Sequence, residues 1–349
     1  MASISRARKA SVMAMAPISL LHGGDLAMAR QEFPNAPQPF IDLSTGINPD
    51  AYPVPPLSAD LFVRLPQQEM LQNLLAVAAK LYGAPSRDHV VAGPGTQILL
   101  PGVMALLSPG CAKVLGPTYA EHVRVASLVG HRTTEAAHVA ELEEADLAVV
   151  VNPNNPDGRI LPKSVLIALA DKLRARGGLL MVDEAFADVA SPDVSLAGEV
   201  VRGNIVVLRS FGKFFGLAGL RLGFAVAPPD LAGRLAAWLG PWAVAGPAIA
   251  VGKMALADVD WARATRETLR RKAERLDEIL EQAGLQPVGG TSLFRLAHTP
   301  LASKLFHHLG NAGIFVRRFA EQPHWLRFGL PGSDDAWTRL RATLARPAA

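Results

Sequence analysis

The stretch Asn204-Ile-Val-Val-Leu-Arg-Ser-Phe-Gly-Lys213 joins a β-branched run to a small polar turn that ends in a lysine. Two other stretches have the same form: Asn152-Pro-Asn-Asn-Pro-Asp-Gly158 follows Leu147-Ala-Val-Val-Val151, and Asp183-Glu-Ala-Phe186 follows Gly178-Leu-Leu-Met-Val182. Helical patterns separate these runs, and strands that alternate with helices are typical of a parallel sheet. We therefore predict an α/β fold with a mostly parallel central sheet and helices on both faces.

The rest of the chain predicts a second, smaller domain. Residues 261–282 carry apolar side chains at helical spacing with dense charge between them, which predicts a long surface helix. Shorter elements after it indicate a small α+β domain over residues 246–349, beside a large domain over residues 51–245. We expect residues 1–50 to form an arm that packs with the small domain. The further predicted elements are strands Ala112–Leu115, Gly223–Ala227, Ser292–Leu296, Gly313–Val316 and Trp325–Gly329, and a helix Ala302–Leu309.

The composition limits the classes of partner. The net charge of +4 arises from 35 basic and 31 acidic residues spread along the chain of 349, with no basic tract for nucleic acid. The most apolar segment, Trp238 to Gly252, is interrupted by Gly and Pro and is too short to span a bilayer. The single cysteine, Cys111, excludes an intrachain disulfide and a paired-cysteine metal site. We expect a cytoplasmic protein with no metal site and no nucleic-acid or membrane partner.

The three polar motifs predict a single crevice. In an open α/β sheet, ligands bind beyond the carboxyl ends of the strands, and each motif directly follows a predicted strand. Pyridoxal 5'-phosphate requires a lysine amine, a carboxylate for its pyridine nitrogen and donors for its phosphate. Lys213 lies among small and apolar residues that would desolvate its ammonium and lower its pKa, and Asp183 ends an apolar strand where a carboxylate needs a cationic partner.

Candidates for the remaining cofactor contacts lie nearby in the predicted fold. Gly93-Pro-Gly-Thr-Gln97 precedes an apolar helix, so its backbone N–H groups could hold a phosphate, with Ser210 and Arg221 adding a hydroxyl and a guanidinium. Tyr119 offers a flat face for stacking on a ring. Taken singly, each motif also fits a plain turn, an Asn/Pro loop or a helix N-cap. Their order, each at a strand end, favours the cofactor site.

The sequence resembles the fold-type-I pyridoxal-phosphate enzymes of the class I and II aminotransferase superfamily. The resemblance runs from about residue 22 to residue 329, and Ser210-Phe-Gly-Lys-Phe-Phe-Gly-Leu-Ala-Gly-Leu-Arg-Leu-Gly223 is its most specific part. Within the superfamily the chain is most similar to the histidinol-phosphate aminotransferases and to the L-threonine-O-3-phosphate decarboxylases of cobalamin biosynthesis. The resemblance also implies a homodimer.

The resemblance implies a role for each candidate residue. Lys213 would form the Schiff base and Asp183 would pair with the pyridine nitrogen, so that both are catalytic. Asn155 would bond the ring oxygen, and Tyr119 would stack on the ring. Arg327 would meet the substrate carboxylate, although its position also fits a surface ion pair. The residues that would hold the cofactor phosphate are Gly95, Thr96, Gln97, Ser210 and Arg221.

The N-terminal motifs point to one branch of this superfamily. His22-Gly-Gly-Asp25 and Leu43-Ser-Thr-Gly-Ile-Asn-Pro49 resemble the opening of the cobalamin-pathway decarboxylases, which makes His22 and Asn48 candidate substrate contacts. A histidine that only caps a turn fits His22 equally well. Two positions depart from the superfamily pattern. Phe186 stands where a tyrosine is common, and Arg64-Leu-Pro-Gln67 lacks the tyrosine that reaches the neighbouring subunit's cofactor, which puts that inter-subunit contact in doubt.

These observations predict a lyase that acts on a small phosphorylated amino acid. The leading hypothesis is decarboxylation of L-threonine-O-3-phosphate to (R)-1-amino-2-propanol O-2-phosphate, with Lys213 returning a proton to the α-carbon. The alternative is an aminotransferase that acts on histidinol phosphate or a related amine through the same cofactor site. A non-catalytic cofactor-binding module, as found attached to transcriptional regulators, is a third possibility, but the sequence offers no helix-turn-helix domain for it.

Overall fold

The fold consists of two β-sheets and the helices packed on them, in a computed structural model that describes residues 23–346. Twelve strands are present within this part of the chain. They are β1 (Ile41–Leu43), β2 (Val90–Gly93), β3 (Cys111–Leu115), β4 (Arg132–Ala136), β5 (Leu147–Val151), β6 (Leu179–Asp183), β7 (Ile205–Ser210), β8 (Gly223–Val226), β9 (Gln286–Thr291), β10 (Phe294–His298), β11 (Ile314–Arg318) and β12 (Trp325–Gly329).

The large sheet has seven strands in the order β2-β8-β7-β6-β5-β3-β4. The neighbours from β7 to β4 all pair in parallel, whereas β8 runs antiparallel to both β7 and β2. The prediction of an α/β fold with a mostly parallel central sheet is therefore confirmed. The sequence patterns had not indicated β4, because this strand is at the edge of the sheet and most of its side chains are polar and exposed.

Helices cover both faces of the large sheet. Alternate side chains of β5 show this directly, since Leu147 and Val149 pack in one apolar cluster and Ala148 and Val150 in the other. The helices are α1 (Leu26–Glu32), α2 (Asp60–Val63), α3 (Gln68–Tyr82), α4 (Thr96–Met104), α5 (Glu121–Leu128), α6 (Lys163–Arg174), α7 (Phe211–Phe214), α8 (Pro229–Leu239), α9 (Gly246–Ala257), α10 (Val259–Gln282), α11 (Ala302–Asn311) and α12 (Asp334–Leu344).

The small sheet has five strands in the order β1-β11-β12-β10-β9. The N-terminal strand β1 pairs in parallel with β11, and the other pairs are antiparallel. Residues 286–291 contain a proline and two glycines, so the sequence pattern had not indicated β9, which occupies the sheet edge where such residues are tolerated. The division into an arm, a large domain and a small domain at residues 50 and 245 stays a prediction.

The long helix α10 is amphipathic, with Leu269, Ala273 and Leu276 buried and arginine–glutamate pairs on its outer face. Within residues 23–346, no helix combines the length and the apolar character that a bilayer crossing requires.

Candidate active site

The carboxyl ends of β5, β6 and β7 lie side by side at one edge of the large sheet, because these three strands are adjacent and parallel. Asp183 is the last residue of β6 and Ser210 is the last residue of β7, while the loop that contains Asn155 follows β5. Lys213 lies in the single turn of α7 that begins directly after β7. The structure therefore brings together the three motifs that the sequence placed at strand ends.

Lys213 is surrounded by aromatic and cationic groups. Its side chain is half-buried, and its Nζ lies 6.0 Å from the centre of the Phe186 ring. Burial and the nearby positive charge of Arg327 lower the pKa of Lys213 from 10.5 to about 8, although the negative charge of Asp183 opposes this shift. A sizeable fraction of the amine is consequently neutral near neutral pH, which is the form that attacks an aldehyde.

Asp183 is held as a hydrogen-bonded carboxylate in a buried setting. Only 6% of the residue is exposed, and Oδ1 accepts a hydrogen bond from the backbone N–H of Ala185 at 3.1 Å. Its Oδ2 lies 3.1 Å from Nε2 of His122, which is fully buried at the start of α5. A carboxylate in this position can also accept a hydrogen bond from a cationic group such as a pyridinium.

His122 is a site residue that the sequence patterns did not indicate. Its contact to Asp183 joins residues that are 61 positions apart in the chain, so no local pattern announces it. A signal was nevertheless available, because His122 stands three residues after the candidate Tyr119. A turn that leads into α5, closed by a hydrogen bond from the N–H of His122 to the backbone oxygen of Tyr119 at 3.1 Å, brings the two residues together. In the structure their rings meet edge to face with centroids 5.7 Å apart.

The predicted phosphate residues converge on the first turn of α4. Gly95 has φ +89°, and a Cβ built there would lie 2.7 Å from Nη2 of Arg221, so glycine is required for this approach. A Cβ at Gly223 would lie 2.6 Å from the backbone nitrogen of Thr96, and Ser210 pairs with Gly223 across the sheet. Because no described side chain caps α4, its first N–H groups are available to an anion.

Gln97 and Tyr119 belong to a hydrogen-bonded chain beside this cradle. The Tyr119 hydroxyl donates to Oε1 of Gln97 at 3.1 Å, and Nε2 of Gln97 donates to Glu121 at 2.6 Å. Burial and the negative charges of Glu121 and Asp183 raise the pKa of Tyr119 to about 12. Tyr119 therefore stays a neutral phenol with its ring nearly perpendicular to that of His122, while the side-chain amide of Gln97 is engaged by protein groups.

Arg327 is buried where the small sheet meets the loop that follows β5. Its Nη1 donates to Oδ1 of Asn155, and its Nη2 donates to the backbone oxygen of Ser44 at 2.9 Å. Among the described residues, no carboxylate lies within ion-pair distance of its guanidinium, and its Nε has no hydrogen-bond partner. Burial and the positive charge of Arg317 lower the pKa of Arg327 to about 9, although the negative charge of Asp42 opposes this shift.

Arg317 is a second cation in the same place, and the sequence had given no role for it. It pairs with Arg327 across β11 and β12, and its guanidinium lies 5.4 Å from the centre of the Phe319 ring. Burial lowers its pKa, and no acidic side chain of residues 23–346 forms an ion pair with it. Two neighbouring guanidinium groups without carboxylate partners are suited to a ligand that carries two anionic groups.

Asn48 is engaged by the backbone around the lysine. Its Nδ2 donates to the oxygen of Phe214 at 2.9 Å, its Oδ1 accepts from the N–H of Asp50 at 2.9 Å, and its own N–H donates to the oxygen of Lys213 at 2.9 Å. Asn48 thus holds the turn that presents Lys213, and direct contact with a substrate stays a prediction. His22, the other predicted substrate contact, lies outside the described residues.

The described part of the chain contains no group of three or more His, Cys, Asp or Glu side chains placed to bind a metal ion. The groups that would serve pyridoxal phosphate are present by contrast: an amine with a lowered pKa, a buried carboxylate and a glycine-bounded cradle beside Arg221. The residues therefore fit this cofactor, while the individual roles of the site residues stay predictions.

Comparison with known proteins agrees with this geometry. Residues 57–342 match the model of the family described as aminotransferase class I and II. The chain is 42% identical to a threonine-phosphate decarboxylase of a Sinorhizobium species, over 94% of this chain and 98% of that protein. It is 40% identical to a threonine-phosphate decarboxylase of Pseudomonas aeruginosa, over 93% of this chain and 97% of that protein. Its fold is similar to that of histidinol-phosphate aminotransferase from Sinorhizobium meliloti in complex with pyridoxal-5'-phosphate, with a TM-score of 0.77, 20% identity and coverage of 95% and 96% of the two chains.

Proposed function

The chain belongs to the aminotransferase class I and II family, and from this premise we propose that it is a pyridoxal-phosphate-dependent decarboxylase of L-threonine-O-3-phosphate. The observation that carries the proposal is the identity of 42% and 40%, over almost the whole chain, to two threonine-phosphate decarboxylases. The paired guanidinium groups of Arg317 and Arg327 support it, since threonine phosphate carries both a carboxylate and a phosphate. The product would be (R)-1-amino-2-propanol O-2-phosphate, an intermediate of cobalamin biosynthesis.

The enzyme uses pyridoxal 5'-phosphate, which, when bound, links to the amine and withdraws electrons from the α-carbon. Lys213 would supply the linking amine, and the Asp183 carboxylate, fixed by His122, would stabilise the cationic form of the pyridine ring. The first turn of α4 and Arg221 would hold the phosphate, with Ser210 adding a hydroxyl.

The residues around the substrate would determine which bond breaks. Arg327 would bind the carboxylate and Arg317 the phosphate, and these two contacts would fix the orientation of the substrate. Loss of carbon dioxide would leave the bonding electron pair at the α-carbon, where the cofactor would stabilise it. The protonated amine of Lys213 would then deliver a proton to the α-carbon. No amino group leaves the substrate, so no 2-oxo acid is consumed.

Incubation of the purified holoenzyme with L-threonine-O-3-phosphate tests this reaction. We expect release of carbon dioxide and formation of the amino alcohol phosphate without any added 2-oxoglutarate. The matched substrate L-threonine, which lacks the phosphate, should react far more slowly if Arg317 binds that group. Turnover that depends strictly on an amino acceptor, with histidinol phosphate as the better substrate, would instead establish the aminotransferase.

Exposed apolar side chains around α2 support the homodimer that the resemblance implies. Phe62, Val63 and Leu65 are apolar side chains in and directly after α2, with exposures of 66%, 75% and 65%. Exposed apolar groups in such a cluster favour a protein contact. In sedimentation velocity we expect a dimer, and Leu65→Glu should shift it towards monomer, while the control Val201→Glu, at a similarly exposed valine elsewhere, should not. A fully active wild-type monomer would contradict this assignment.

We place the enzyme in the cytoplasm, because its single cysteine is compatible with a reducing compartment and the pathway handles small soluble phosphates.

A further inference from the structure

Ser44 lies at the end of β1, fully buried, and all of its polar atoms are hydrogen-bonded. Its backbone N–H and its hydroxyl both donate to Oδ1 of Asp42, at 2.8 Å and 2.6 Å. The hydroxyl oxygen accepts a hydrogen bond from the N–H of Gly24 at 2.7 Å. The backbone oxygen accepts a hydrogen bond from Nη2 of Arg327 at 2.9 Å. One residue therefore contacts the N-terminal turn, an acid and the candidate carboxylate-binding arginine.

The turn at Gly23 and Gly24 packs directly on this residue. A Cβ at Gly23 would lie 2.3 Å from the backbone oxygen of Ser44, the same oxygen that Arg327 uses. Gly24 has φ +90°, a conformation that side chains other than glycine rarely adopt. The two glycines therefore allow the turn to pack against the Ser44 carbonyl group that Arg327 contacts.

The hydroxyl of Ser44 is the link that fixes the turn in this place. It accepts a hydrogen bond from the N–H of Gly24 while it donates one to the Asp42 carboxylate. Donation to a charged acceptor polarises the hydroxyl, which strengthens the hydrogen bond from Gly24. Asp42 is also an acidic group whose charge acts on both Lys213 and Arg327. The orientation of this carboxylate, through Ser44, is therefore coupled to the position of the turn.

We infer that Ser44 is a positioning residue that fixes the N-terminal turn Gly23–Gly24 against Arg327, so that the turn forms one wall of the substrate site. This inference rests on the proposed function, in which Arg327 binds the substrate carboxylate. None of the hydrogen bonds of Ser44 involves Lys213 or Asp183, so we expect it to act on substrate binding and not on the chemical step.

The test compares the Ser44→Ala and Ser86→Ala holoenzymes with the wild type. Ser86 is a matched control, because its hydroxyl also accepts a backbone N–H, that of Asp88 at 3.3 Å, before β2 and away from the lysine. Hydrogen exchange at the Gly24 amide, measured without substrate, reports the hydrogen bond from this amide to the Ser44 hydroxyl. Absorbance titration of the cofactor with L-threonine-O-3-phosphate reports binding and needs no turnover.

In Ser44→Ala we expect faster exchange at Gly24 and a dissociation constant for L-threonine-O-3-phosphate that rises about 5–30-fold, the equivalent of one buried hydrogen bond. The KM should rise by a similar factor while kcat falls less than about threefold. Cofactor content should stay at the wild-type level. Ser86→Ala should show none of these changes.

Several results would overturn the inference. One is unchanged exchange at Gly24 or unchanged binding in Ser44→Ala, and another is a loss of kcat or of bound cofactor with unchanged KM, which indicates a general structural role. A wild-type enzyme that binds threonine phosphate without releasing carbon dioxide contradicts only the proposed reaction, since the binding comparison still decides the role of Ser44. Absence of binding to the wild type refutes both.

Discussion

Asp183 and Lys213 are presented by neighbouring strands of one sheet, whereas Ser44 and Arg327 lie 283 positions apart in the chain and meet only where the N-terminal strand joins the small sheet. Under the proposed function, the first pair belongs to the cofactor side of the candidate site and the second to the substrate side. The cofactor side follows from the rule that parallel strands bring their carboxyl ends to one edge. The substrate side depends on how separate parts of the chain pack together.

The two sides also differ in how their charges are satisfied. On the cofactor side, Asp183 already has hydrogen bonds from Ala185 and His122. On the substrate side, Arg317 and Arg327 have no carboxylate partner among the described residues. A charge without a counterion in a buried place is costly, and an anionic ligand relieves that cost. Substitutions on the cofactor side should therefore reduce turnover, and those on the substrate side should weaken binding.

The largest effect should come from Lys213→Ala on the cofactor side. This change removes both the amine that links the cofactor and the group that delivers the proton, so kcat should fall at least ~10⁴-fold. The visible absorbance of the holoenzyme should also disappear. Lys253→Ala, which removes an exposed lysine, serves as the control and should behave as wild type. Appreciable decarboxylation by Lys213→Ala would contradict the assignment of the lysine.

A smaller effect, mainly on binding, is expected for Arg327→Lys on the substrate side. Lysine keeps the charge but lacks the planar fork that contacts Asn155 and Ser44, so the KM for L-threonine-O-3-phosphate should rise ~100-fold. Cofactor absorbance should be retained. Arg318→Lys is the matched control on the same sheet. If kcat falls and KM does not change, the distinction between the two sides is wrong.

A reduction in kcat of about 10–100-fold is expected for His122→Phe, because the buried Asp183 carboxylate loses a hydrogen-bond donor. The KM should change little. His122→Gln places an amide N–H near the same oxygen and should recover much of the loss, whereas equal damage in both variants would point to packing and not to the hydrogen bond.

The smallest effect concerns the pH dependence of cofactor attachment. The pKa of Lys213 is lowered to about 8, so the neutral amine predominates above that pH and the protonated form below it. The rate at which the apoenzyme regains visible absorbance with pyridoxal phosphate should therefore rise about tenfold from pH 7 to pH 9 and then level off.

Arg327→Gln links this prediction to the substrate side. The positive charge of Arg327 helps to lower the pKa of Lys213. Removal of this charge should therefore move the midpoint of the pH dependence of cofactor attachment to higher pH. Arg318→Gln, which removes an arginine paired with Glu32, should leave the midpoint unchanged. A wild-type rate that continues to rise above pH 10 would show that Lys213 titrates as an ordinary lysine.

Much of the large sheet was readable from the sequence because buried parallel strands are continuous apolar runs. Leu147–Val151 and Ile205–Leu208 lie within observed strands for this reason. The edge strands β1, β2, β4 and β9 were not among the predicted strands. Polar residues, glycine and proline are tolerated at the edge positions of β4 and β9, and β1 and β2 have only three and four residues. The resemblance to the aminotransferase superfamily was confirmed by the family match over residues 57–342.

By itself, the sequence determined the α/β fold, the cofactor class and the strand ends that carry Asp183, Ser210 and Lys213, because these features are encoded within short segments. Only the tertiary structure decided that His122 bonds Asp183, that Arg317 lies beside Arg327, and that Ser44 joins the N-terminal turn to Arg327. The physical reason is that these contacts join side chains from different elements. These contacts form only when whole sheets pack together, so a local sequence pattern cannot predict them.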